Sequence, residues 1–94
     1  MGAVAMAIDS KLRAQFAPTR LAVEDESSRR HGHAGWREGG ETHFKVEIVS
    51  AAFDGQGRVA RQRLVYQALA AEFTDGLHAL SLTTLTPAED AARG

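Results

Sequence analysis

The chain has 94 residues, 44% of them apolar and 24% charged, with a formal net charge of −1 and no cysteine. That is the size of one small domain with a single core. The missing cysteines exclude disulfides and any thiolate metal site built from this chain alone, and the near-neutral charge argues against a general nucleic-acid binder, which is normally basic.

The opening Met1-Gly2-Ala3-Val4-Ala5-Met6-Ala7-Ile8 is apolar but lacks a basic start, and it meets Asp9 and Lys11 too soon for a signal peptide or a membrane span. A cytoplasmic protein is expected. From about Ala5 to Phe16, Ile8, Leu12 and Phe16 recur at four-residue spacing among Asp9, Lys11 and Arg13, the pattern of an amphipathic helix. Pro18 stops it, because the residue before a proline is pushed out of the helical region. Thr19 to Glu24 alternates, with Leu21 and Val23 on one side and Arg20, Ala22 and Glu24 on the other, which suits a strand.

Asp25 to Gly40 has no apolar period and reads as a long loop, a length usually tied to function. Thr42 to Val49 alternates cleanly, Phe44, Val46 and Ile48 inward and Lys45 and Glu47 outward. Ala51-Ala52-Phe53 forms a short turn, followed by Asp54-Gly55-Gln56-Gly57. Arg58 to Phe73 turns helical, with Leu64, Val65, Ala68, Leu69 and Phe73 on one stripe, and Gly76 is placed to end it. Leu77 to Leu85 is a third strand, and Pro87 opens a short polar helix over Ala88–Ala92.

The order is α-β-β-α-β-α, an α+β fold. A loop between the first two strands allows antiparallel pairing. A helix between the second and third implies a right-handed crossover and parallel pairing. The expectation is a single domain over residues 1–94, its core about 5–86 and a polar helix over 87–93. It should have a three-stranded mixed sheet with helices mainly on one face.

Chemistry falls to four histidines: His31, His33, His43 and His78. By parity His43 points away from the row of Phe44. His78 shares parity with Leu80 and Leu82, at the edge of the core-facing row, with one ring nitrogen left for a partner. His31 and His33 lie in the loop among Gly32, Ala34 and Gly35, with nothing bulky to restrain them. Their spacing occurs in metal sites, but two imidazoles are too few for a closed structural zinc site. No Ser-His-Asp spacing, H-E-x-x-H, Walker loop or G-x-G-x-x-G is present, and Gly55-Gln56-Gly57 lacks the rest of a phosphate loop. It reads as a turn, and the chain does not read as an enzyme.

Asp25-Glu26-Ser27, Gly40-Glu41-Thr42-His43-Phe44-Lys45-Val46, Arg61-Gln62-Arg63-Leu64-Val65-Tyr66 and Leu77-His78-Ala79-Leu80 together resemble the BolA family, in order, over roughly residues 5–86. Gln62 departs from the histidine that many members carry there. The resemblance implies a class II KH-like fold without the G-x-x-G of true KH domains. It also implies a heterodimer with a monothiol glutaredoxin that shares a bridging [2Fe-2S] cluster, the partner bringing glutathione and the isolated chain a monomer or weak homodimer. In that arrangement the histidine near the last strand, matching His78, is one ligand. The other comes from the loop between the first two strands: His33 counting back from Glu41, or His31 counting from Ser27.

That agrees with the residues themselves. Two histidines can replace two cysteines on one iron of such a cluster, so a cysteine-free chain can supply the imidazole half. Ligation requires neutral imidazole, and Arg29 and Arg30 are expected to help by disfavouring the protonated form. Two other readings compete. One is a DNA-binding transcriptional regulator of stress response and morphology, using Arg58, Arg61 and Arg63 at a helix start. The other is an adaptor that binds glutaredoxin without metal.

Overall fold

The computed structural model describes residues 2–26 and 43–93. In chain order it contains α1 (Ala3–Phe16), β1 (Arg20–Asp25), β2 (His43–Val49), a 3-10 turn (Ala51–Phe53), α2 (Arg58–Ala68), α3 (Ala70–Thr74), β3 (Ala79–Leu85) and α4 (Pro87–Arg93). The three strands form one sheet in the order β1-β2-β3. β1 runs antiparallel to β2, with Leu21 opposite Ile48 and Val23 opposite Val46. β3 runs parallel to β2, with His43 opposite Ala79 and Phe44 opposite Leu80. The expected mixed sheet is observed, β2 at its centre.

The core forms where the apolar period of each element meets this sheet. Ala5, Ile8, Leu12 and Phe16 of α1, Phe44, Val46 and Ile48 of β2, and Val65 and Leu69 are all buried there. Ser50 fixes the turn after β2: its hydroxyl donates to the Phe16 carbonyl at 2.6 Å and accepts from the Ala52 N–H at 3.0 Å. Phe53 fills the space beneath, its ring 5.3 Å from that of Phe16. Gly55 then takes a positive φ of 77°, open to glycine without strain. Gly55-Gln56-Gly57 is a turn leading into α2.

Two elements differ from the periodic reading. The helix expected to run unbroken from Arg58 to Phe73 divides at Leu69 (φ −103°, ψ 16°), whose N–H is shared between the carbonyls of Val65 and Tyr66. Beyond that break Glu72 meets Lys11 of α1, both carboxylate oxygens within 2.9 Å of its ammonium. The third strand begins at Ala79, not at Leu77. Leu77 belongs to the helix exit: its N–H donates to the Glu72 carbonyl at 2.9 Å and that of Gly76 to Phe73 at 3.4 Å, with Gly76 at φ 124°. This is a Schellman closure, and the side chain of Leu77 seals it in the core.

α4 starts with a capping box. The Thr86 hydroxyl accepts from the Glu89 N–H at 3.1 Å, and the Glu89 carboxylate accepts from the Thr86 N–H at 2.9 Å, around Pro87 at the first helical position. No described helix is long and apolar enough to cross a membrane.

Candidate functional site

The Schellman closure and the β2–β3 ladder meet at His78. Leu77 before it is buried, and Ala79 after it is paired with His43. His78 itself is exposed. Its ring lies beside that of His43, centroids 5.2 Å apart and planes tilted by 50°, a separation within the range of offset and tilted ring pairs. His43 is only 5% exposed, and its carbonyl accepts from the Glu26 N–H at 2.8 Å, tying the start of β2 to the end of β1.

His43 sits at the entrance of β2, as its position in the sequence suggests, and is buried there. His78 precedes the ladder, which begins at Ala79, and its ring lies against that of His43. The contact becomes predictable only once the parallel register sets His43 opposite Ala79. His31 and His33 lie outside the described residues, as does most of the loop between β1 and β2.

In a chain without cysteine, His78 offers an exposed imidazole, with the buried ring of His43 beside it. Among the described residues no group of three or more His, Asp or Glu side chains is placed to hold a metal ion. A closed site needs more ligands than this. His78 fits one ligand of a site completed from elsewhere.

The three arginines at the start of α2 separate. Arg61 is 7% exposed. Its guanidinium donates to the Gln56 carbonyl at 2.8 Å, the Thr84 carbonyl at 3.3 Å and the Glu89 carboxylate at 2.7 Å. It clamps α2 to β3 and α4 and is not a surface cation. Arg58 and Arg63 are exposed, but five residues apart they point about 140° from each other around the helix. At the same end of the sheet, Arg20 donates to Glu47 and Asp90, each at 2.6 Å, and Arg93 donates to Glu47 at 2.7 Å. These partners hold the Glu47 carboxyl down at about 2, Arg20 more than Arg93. Arg61 and then the Thr86 N–H hold Glu89 at about 2. Asp90 is lowered too, chiefly by Arg20. Arg61, Glu89 and the capping box were missed as a unit from sequence; the T-x-x-E spacing of Thr86 and Glu89 was the available signal.

Fold and site define a small α+β domain with a mixed sheet and an imidazole pair at the mouth of its central strand. A family model of BolA-like proteins matches residues 12–89, and the chain belongs to that family. It is 46% identical over 93 residues to SufE-like protein 1, chloroplastic/mitochondrial, and 46% over 85 residues to Protein BOLA1, chloroplastic, both of Arabidopsis thaliana. Those matches cover 95% and 88% of this chain, but the chain spans only 25% and 53% of the two plant proteins. It is also 46% identical over 79 residues to the DNA-binding transcriptional regulator BolA of Escherichia coli, covering 84% of this chain and 71% of that protein. The solved structure of the BolA domain of SufE1 from Arabidopsis thaliana superposes with a TM-score of 0.84 at 45% identity, covering 95% of this chain and 98% of that one.

Proposed function

We propose that this chain is a partner of a monothiol glutaredoxin and supplies histidine ligands to a [2Fe-2S] cluster shared between the two, in iron–sulfur trafficking or iron and redox regulation. The observation that carries this reading is an exposed His78, backed by a buried imidazole, in a chain with no cysteine of its own. His78 is one ligand. His33 is the second, with His31 as the alternative. Such a cluster supplies one-electron chemistry and a transferable iron–sulfur unit, and imidazole ligands raise its reduction potential. The chain's own part is to present a neutral ring nitrogen from a backbone fixed on both sides, while the partner and its glutathione bring sulfur. Anaerobic co-expression with a monothiol glutaredoxin, followed by the absorption spectrum of the purified pair, tests it. A coloured heterodimer is expected; a colourless one supports a metal-free adaptor, and no complex contradicts both.

A second reading, a DNA-binding transcriptional regulator, draws on the printed name of the Escherichia coli relative and on exposed Arg58 and Arg63. With Arg61 turned inward and a net charge of −1, the basic surface behind it is thin. Affinity for duplex DNA that falls steeply with salt, and falls further in Arg58→Ala and Arg63→Ala, would favour it.

A further inference from the structure

We infer that His43 is a positioning residue for His78: its buried ring is the platform that holds the exposed His78 ring in one orientation. The backbone on either side of His78 is already fixed, by the burial of Leu77 with its N–H on Glu72 and by the pairing of Ala79 with His43. What stays free at an exposed position is the side chain, which changes rotamer on the picosecond to nanosecond scale unless something packs against it. The ring of His43, 5.2 Å away, is that contact.

His43 is suited to the task because it cannot easily move. It sits at the start of the central strand, 5% exposed, paired to β3 and bonded through its carbonyl to Glu26. A group that orients a ligand through a neighbouring ring lowers the cost of ordering that ligand when a partner arrives. The functional consequence rests on the reading of His78 as a cluster ligand. The orientation of the ring does not.

The test uses the isotopically labelled full chain without glutaredoxin, then the purified pair. In the free chain the His78 ring is expected to be ordered and to show a cross-ring nuclear Overhauser effect to residue 43. In His43→Ala the effect is lost and ring order falls toward that of a free side chain. His43→Phe, which keeps a flat ring at the site, retains the order. In the pair, His43→Ala retains the cluster about 10-fold or more weakly, the scale of losses seen when a ligand's support is removed, while His43→Phe keeps it. A mobile His78 ring in the unaltered chain overturns the inference even if His43→Ala fails to fold. So does a His43→Phe that keeps ring order yet loses the cluster, since His43 would then be a ligand. A cluster that survives His78→Ala overturns the glutaredoxin reading instead, and leaves the ring measurement to decide this one.

Discussion

Arg61 of α2 and Glu89 of α4 form a two-point ion pair, Nη1 to Oε1 at 2.7 Å and Nη2 to Oε2 at 3.3 Å, with the arginine buried and the glutamate half-exposed. The same carboxylate caps α4 through the Thr86 N–H. One side chain therefore joins the start of α2, the end of β3 and the first turn of the last helix.

Arg61→Ala is expected to destabilise the fold by about 2 kcal/mol or more, since it removes several charge-assisted hydrogen bonds at a buried group. Glu89→Gln should cost less, because a half-exposed carboxylate is replaced by a group that still accepts. Denaturant midpoints of the two variants check this; an unchanged midpoint for Arg61→Ala would mean that the clamp is dispensable.

Acid should loosen the end of the sheet. The Glu47 and Glu89 carboxyls, ordinarily at 4.5, are each held at about 2 by their arginine partners. A carboxyl lowered on folding adds stability that is fully present above its unfolded value and disappears as pH falls through its folded value. The loss is therefore expected between about 4.5 and about 2. It should be modest and salt-sensitive, because both carboxylates reach solvent even though Arg61 itself is buried. Carbon-detected titration of the two carboxyls reads it directly. In Arg20→Gln the Glu47 midpoint should rise toward 4.5, whereas a midpoint already near 4.5 in the unaltered chain would contradict the account.

Gly76 sets where His78 begins. At φ 124° it occupies a conformation that L side chains rarely adopt, so Gly76→Ala should cost about 1 kcal/mol or more and shift the amide signals of Leu77 and His78. Gly57→Ala is the comparison: there φ is −71° and an added Cβ meets nothing within 4 Å, so a smaller loss is expected. Equal losses in thermal unfolding would remove the special role of Gly76.

The fold is largely legible in the chain because its strands and helices carry one period each. The alternation of Phe44, Val46 and Ile48, the stripe of Ile8, Leu12 and Phe16, and the loop and helix between strands are enough to set pairing directions. What is not legible depends on groups far apart in sequence. The break at Leu69 is invisible because the apolar stripe runs through it. The inward turn of Arg61 depends on Glu89, twenty-eight residues on. For the site, His78 stands out by its place beside Gly76 and Leu77, but its ring partner His43 follows only from the parallel register. His31 and His33 lie outside the described residues, and their role as ligands is proposed from the family resemblance alone.

The proposed ligation of iron by His78, in a pair with glutaredoxin, is open to direct spectroscopic test. The most direct measurement is the visible circular dichroism of the anaerobically purified heterodimer carrying His78→Ala, beside that of the unaltered chain. Loss of the cluster bands with the heterodimer intact is the predicted result, and an unchanged spectrum would contradict it.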